Sequence, residues 1–281
     1  MAIPHHTSEV PHLTLATFNV HCGVDGWGRP FDVVAECDRL DADVVVMQES
    51  WAPDGDGLST AAIVADRLGY QVIEEGLAHG RLASPDPSAD DRWGPGLRES
   101  HHTLRLDDDH RRRVRRAEQS RPFTSGTWGI ALLTRVPVTE LSVLSLGQLR
   151  RDPARRAAII CTTSVGDRPL TIVGTHMSHL LHRSPVQYRR LVALLPETGT
   201  AAVVAGDMNL WGPLVAALLP RWRRAMIGRT WPSGRPHSQL DHVLVSSPVS
   251  VLDARIADRS GSDHRPVRVT LALSSPTPER R

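Results

Sequence analysis

The apolar run in AVVAGDMNLWG (202–212) ends at Gly206, and Asp207 and Asn209 follow two residues apart. Residues i and i+2 of an extended chain face the same way, so a carboxylate and a carboxamide would share one side of a strand's mouth. Gly, Asp and Asn are also common turn residues, and the pair alone does not choose between a turn and a site. The pattern recurs along the chain. TFN ends at Asn19, VVVMQE at Glu49 and TIVGTH at His176. Asp241 interrupts the apolar QLDHVLVS, and Asp263 and His264 precede a final apolar run in GSDHRPV. Taken singly, Asn19 also reads as a turn cap, Glu49 as a solvated acid and His176 as a core histidine. Gathered at strand ends, they make an acidic, oxygen-rich pocket with two imidazoles, which suits Mg²⁺ or Mn²⁺ better than zinc. A hard cation beside imidazoles can attack a phosphate ester: it offsets charge on the phosphoryl oxygens while a base activates water for in-line displacement. His264, next to a carboxylate, can hold one tautomer or carry a proton.

The elements that must position these residues alternate between the two periodicities. Strands are expected over 13–19, 43–49, 70–75, 129–134, 138–146, 157–165, 169–176, 200–207, 239–247, 249–256 and 266–273. Helices are expected over 31–40, 58–69 (closing at Gly69), 185–195 (opening on Pro185) and 213–220. Four consecutive strands over 129–176 imply antiparallel hairpins. Residues 76–127 carry hardly any apolar pattern and read as a long loop or insertion, functional or disordered. The tails, 1–12 and 274–281, are expected to be loose. One α/β domain over 13–273 with two β-rich sheets follows.

Composition narrows the class. Of 281 residues 40% are hydrophobic, enough for a sizeable core. The formal charge of +2 demands no particular partner. All 33 basic residues are Arg, the better bidentate phosphate ligand. Cys22, Cys37 and Cys161 form neither a disulfide framework nor a zinc pattern and are expected to be reduced. No signal peptide or membrane-length apolar run is evident, so the expected location is cytoplasmic. A G-x-S-x-G elbow and a P-loop are both missing, which leaves covalent acyl chemistry without support and argues against an NTP-driven machine.

In order, TFNV, VVVMQES, GIALLTRVPV, VGTHMSH with PVQYRRLVALL, VVAGDMN, QLDHVLVS and GSDHRPV resemble the endonuclease/exonuclease/phosphatase superfamily of deoxyribonucleases, exonuclease III-like enzymes, inositol polyphosphate 5-phosphatases and neutral sphingomyelinases. The resemblance spans about Leu13 to Leu273. It implies a four-layer sandwich, two packed mixed β-sheets flanked by helices, with the site at one end of the sheets. It further implies that Asn19, Glu49 and Asp263 belong to the Mg²⁺ (or Mn²⁺) site, with Glu49 the principal ligand. By the same resemblance Asp207 orients or deprotonates water and Asn209 holds the water or the phosphate. His264 contacts the scissile phosphate or moves a proton, Asp241 orients His264, and His176 is a second phosphate-contacting histidine. The implied activity is metal-dependent hydrolysis of a phosphoester, most simply by a nuclease acting on DNA or RNA, with no obligate protein partner. Hydrolysis of a small, inositol or sphingolipid phosphoester is the second reading, and a catalytically silent binding module the third.

Other positions stay open on sequence. The resemblance implies a further site residue from the region of 76–127 or just after it, for which His101, His102, Arg121 and Trp128 are alternatives. The run DDDHRRRVRR (107–116) is either a phosphate-facing basic patch or a solvated charge run. Arg156 either faces the site or sits on the surface at a strand end. Thr230 and Trp231 are expected near the site, although Trp231 also suits a core position. His179 reads as surface or substrate rim. His242 should point to the strand face opposite Asp241.

Overall fold

The computed structural model describes residues 10–25, 28–84, 104–108, 122–180, 184–197 and 199–274. His101, His102, Arg121 and the charge run beyond Asp108 lie outside the described residues, as do most of both expected tails. In chain order the strands are β1 (His12–Asn19), β2 (Val44–Pro53), β3 (Gln71–Ala83), β4 (Leu104–Leu106) and β5 (Phe123–Thr134). They continue with β6 (Glu140–Gln148), β7 (Arg155–Val165), β8 (Arg168–His176), β9 (Ala202–Asp207) and β10 (Arg223–Arg224). The last are β11 (Asp241–Val245), β12 (Val249–Ile256) and β13 (Val267–Leu273). The helices are α1 (Val33–Leu40), α2 (Thr60–Leu68), α3 (Ser184–Leu194) and α4 (Gly212–Leu218).

Among the described residues one sheet runs β12-β13-β1-β2-β5-β3-β4 and the other β10-β11-β9-β8-β7-β6. Only β1–β2 and β8–β9 pair in parallel, so both sheets are mixed. The period of two along β2 shows how the layers stack. Val44 and Val46 face the inter-sheet core with Leu15, Ile159, Ile172, Val203 and Val243. Val45 and Met47 face outward onto Val33, Cys37 and Val64 of α1 and α2. On the far side Val173 and Val204 meet Tyr188 and Leu191 of α3 and Val215 of α4. Each such aliphatic burial contributes about 1.5–3 kcal/mol. The result is the expected four-layer sandwich.

Local signals bound α1 and α2, with Gly69 closing α2 as expected and two side-chain caps at the N-termini. The Asp32 side chain accepts from Ala35 N, the Ser59 side chain accepts from Ala62 N, and Gly69 closes α2 at φ +71°.

Two expectations are corrected. The segment from 76 to 127 is not loop at its ends: β3 runs on to Ala83 and β5 begins at Phe123, pairing Gly76–Ala83 with Phe123–Gly129, and β4 joins at Gly80–Leu82. Most of the β3 extension is exposed or half-buried, so no apolar alternation announces it. The four strands over 129–176 are not one run of hairpins either. β6, β7 and β8 pair antiparallel as expected, but β5 lies in the other sheet between β2 and β3.

Candidate active site

The ends of four strands bring the chemistry together. Parallel pairing sets His176 of β8 opposite Asp207 of β9, and antiparallel pairing sets Asp241 of β11 opposite the same Asp207. Asn19, at the end of β1 in the other sheet, bridges the two layers. Its Nδ2 donates to Asp207 Oδ2 at 3.1 Å and to Glu49 Oε1 at 3.0 Å, while its Oδ1 accepts from His21 N at 3.0 Å. Glu49 sits where the β2–β5 register slips between Gln48 and Ser50, with φ +59°. A bulge re-aims a side chain, and here it leaves Glu49 half-buried between the buried Gln48 and Ser50.

Asp263 reaches the site from the loop before β13. Its Oδ2 accepts from Trp231 Nε1 at 3.2 Å, and its Oδ1 is 4.0 Å from His21 Nδ1. Ser262 ties this loop to β1 by donating to Asn19 O at 2.7 Å. Next to it, His264 Nδ1 donates to Asp241 Oδ2 at 2.8 Å, and His264 Nε2 lies 3.8 Å from Asp207 Oδ2. Thr230 Oγ1 accepts from the backbone N–H of Leu240 and of Asp241, which fixes the start of β11.

Asn209 completes the opposite wall, in the left-handed region at φ +49°. Its Nδ2 donates to Met177 O at 2.9 Å and to His176 Nε2 at 3.0 Å. Because Nε2 accepts there, the His176 proton sits on Nδ1. Tyr188 of α3 donates to Met208 O at 2.7 Å, holding the peptide between the two catalytic candidates.

The charges in this pocket differ sharply from their solution behaviour. Burial, with the carboxylate of Asp241, raises Asp207 to about 7, against the pull of His264 and of hydrogen bonds from Asn209 N and Asn19. Burial alone would neutralise His264, but Asp241, Asp207 and Asp263 and the Asp241 hydrogen bond lift its pKa well above the usual imidazole value. His176 goes the other way: burial and then the positive charges of Arg156 and His264 hold it well below that value. One imidazole is cationic and the other neutral, a separation that suits distinct roles.

All eight expected residues lie in this one region. Asp207, Asp241 and His264 also offer ligand atoms within 4.8 Å of one another, a group able to hold a metal ion, which differs from the expected set of Asn19, Glu49 and Asp263. Thr230 and Trp231 touch the site as expected. Trp128 packs on His176 at 5.1 Å between ring centroids, and Arg156 is buried with its guanidinium 5.0 Å from the Trp128 ring centroid, not on the surface. His242 points away: Nε2 lies 3.1 Å from the carbonyls of Leu210 and Gln239, and burial lowers it to about 4. Asp152, which grips Arg156 and Ser178, goes unmarked by sequence reading, since an acid in the loop sequence RDPARR carries no periodic signal.

The architecture has solved counterparts. An endonuclease/exonuclease/phosphatase from Beutenbergia cavernae superposes with a TM-score of 0.62 at 21% identity, covering 94% of this chain and 72% of that one. Truncated Caenorhabditis elegans TDP2 gives 0.57 at 15% identity, over 93% and 98% of the two chains. The human Nocturnin catalytic domain with bound sulfate gives 0.62 at 16%, over 94% of each chain. No curated protein matches this chain. Residues 16–264, which hold all eight clustered side chains, match the Endonuclease/Exonuclease/phosphatase family, and the chain belongs to that family of phosphoester hydrolases.

Proposed function

We propose that the protein is a Mg²⁺-dependent phosphodiesterase, a nuclease cleaving DNA or RNA by in-line attack of water. The observation that carries this reading is the buried array of Asp207, Asp241 and a cationic His264 beside Glu49 and Asn19. The donor set fits a hard cation: Glu49, Asp207, Asp241 and Asp263 offer oxygens, and among the described residues Asp241 Oδ1 is buried with no hydrogen-bond partner. Between the two candidate ligand groups, the chemistry favours Glu49, with Asn19 and Asp263 beside it. His264 is protonated and spends Nδ1 on Asp241, so it repels a cation, whereas the Glu49 carboxylate is half-exposed and reachable. Bound there, Mg²⁺ (or Mn²⁺) would neutralise charge on the phosphoryl oxygens.

The chain's own groups perform the rest. Asp207, with its raised proton affinity, takes a proton from the attacking water while Asn209 orients it. The water oxygen bonds to phosphorus as the bond to the leaving oxygen breaks. His264, held by Asp241, presents Nε2–H to the phosphoryl group, and neutral His176 lines the opposite wall with Asn209. Among the described residues no helix is long and apolar enough to cross a membrane. A cytoplasmic setting suits Cys22, Cys37 and Cys161, which are free and buried.

The test is nicking of supercoiled plasmid with Mg²⁺, beside EDTA and Asp207→Ala controls. Nicking abolished by both controls supports a nuclease. No cleavage of plasmid, RNA or an activated phosphodiester by folded, Mg²⁺-supplied protein would refute the reading.

A further inference from the structure

Behind His176 lies a buried ion pair that the proposed chemistry leaves unused. Asp152 is 3% exposed and Arg156 6%. The Asp152 carboxylate accepts from Arg156 Nε at 2.8 Å, from Arg156 Nη2 at 3.1 Å and from Ala154 N at 3.2 Å, and it also accepts from the Ser178 hydroxyl. Ser178 stands two residues past His176, and its backbone N–H donates to Gln187 Oε1 at 2.9 Å. One carboxylate thus fixes both a guanidinium and the segment leaving β8.

Two nitrogens of the guanidinium are used. Among the described residues the third, Arg156 Nη1, is buried without a hydrogen-bond partner, and so are the neighbouring Trp128 Nε1 and His176 Nδ1. Three buried donors short of acceptors, one of them on a cation, are costly alone and suit an anionic oxygen. A rigid fork gripped at Nε and Nη2 can point Nη1 in only one direction.

We infer that Asp152 is a positioning residue for phosphate: it acts through Arg156, aiming Nη1 at a phosphoryl oxygen, and touches no substrate itself. This rests on the phosphoester reading above. Simple electrostatics makes the opposite forecast, because removing a carboxylate near an anion site should tighten anion binding.

The experiment is calorimetric titration of inorganic phosphate into the full chain, for wild type, Asp152→Asn, Arg156→Gln and the double variant, with thermal melts to establish folding. Asp152→Asn should weaken phosphate roughly tenfold or more, Arg156→Gln at least as much, and the double variant no further than Arg156→Gln alone. Phosphate binding in Asp152→Asn equal to or tighter than wild type overturns the assignment, as do losses that multiply in the double variant or a wild type that binds no phosphate. Where Asp152→Asn does not fold, Ser178→Ala removes a partner of Asp152 without changing charge. It should weaken phosphate severalfold, and wild-type affinity in it overturns the proposal. Turnover of an activated phosphodiester by wild type, measured in parallel, separates the two claims. Turnover with an unaltered Asp152→Asn affinity removes the positioning role alone, whereas no turnover removes the hydrolase reading whatever the titrations give.

Discussion

His264 and Asp241 form a buried dyad, Nδ1 to Oδ2 at 2.8 Å, in which the carboxylate decides both the tautomer and the charge of the imidazole. The two residues come from different segments, β11 and the loop before β13, and meet only because β11 pairs with β9 while Thr230 fixes its first residue. Burial works against a charged histidine there. Asp241, ahead of Asp207 and Asp263, is the largest influence keeping the proton on.

Asp241→Asn is therefore expected to slow turnover about 10²-fold and to change the pH profile. If the cationic form of His264 is the active one, activity is lost as pH rises through its pKa. Replacing the carboxylate lowers that pKa, so the alkaline limb moves to lower pH. The linked stability follows the same sign: the raised pKa contributes fully below the unfolded imidazole value and fades as pH rises through the folded one, and the variant lacks this contribution. A pH–rate profile of both proteins decides it, and an unmoved alkaline limb removes His264 as the titrating group.

Much of this pocket was legible because its residues break apolar runs. Glu49, His176 and Asp207 each terminate a stretch of buried aliphatics, and a polar side chain ending such a stretch stands out by pattern alone. Asp152 does not, since its partner Arg156 opens β7 four residues later and only the folded loop brings them together. Val44–Met47, apolar at every position, reads as a strand buried on both faces, while the layer order was readable only through the family resemblance. The sheet that β5 joins was not, because alternation records which face is buried and not which strand lies alongside. The outer halves of β3 and β5 were missed for a related reason: with little core against them, they have no burial to encode.

Gly206, at φ +155°, offers a combined steric and backbone test of the strand pairing beneath the site. A Cβ there would stand 1.9 Å from Thr175 O, on the residue it pairs with in β8. Gly206→Ala must push β8 from β9 just where His176 and Asp207 lie side by side. The expected cost is about 3 kcal/mol, read from urea unfolding, together with a clear loss of turnover. An alanine variant of wild-type stability would mean that β8 and β9 do not approach as described.

Mg²⁺ should stabilise the protein in proportion to its occupancy, since a ligand that binds only the folded state adds about 2.7 kcal/mol at a hundredfold excess over Kd. Thermal melts with and without the ion, with EDTA as control, measure this. Glu49→Gln is expected to lose most of the Mg²⁺ response while its EDTA-treated melt stays near that of wild type, because Glu49 is half-exposed and, among the described residues, its side chain accepts one hydrogen bond, from Asn19. A full Mg²⁺ response in Glu49→Gln, with Asp207→Asn unresponsive, would instead move the ion to the Asp207, Asp241 and His264 group.

Asp207→Asn should separate activity from stability, because the same burial that suits Asp207 to accept a proton makes its charge costly. Its pKa lies near 7 in the folded chain against an ordinary value of 3.8, so the folded state holds a proton that the unfolded chain releases. Stability must then fall as pH rises through that window, and the deficit is complete above it. Asparagine is uncharged and keeps an oxygen for the N–H of Asn209, now 2.8 Å from Asp207 Oδ1. It gives up the attraction to His264 and the hydrogen bond from Asn19 Nδ2 to Asp207 Oδ2, which offset part of the gain. In metal-free protein at pH 8 the variant is expected to melt about 2 °C or more above wild type, with turnover reduced about 10³-fold or more, and the gain should shrink toward pH 5. A variant less stable than wild type at pH 8 would show that the Asp207–His264 attraction outweighs the burial of the carboxylate.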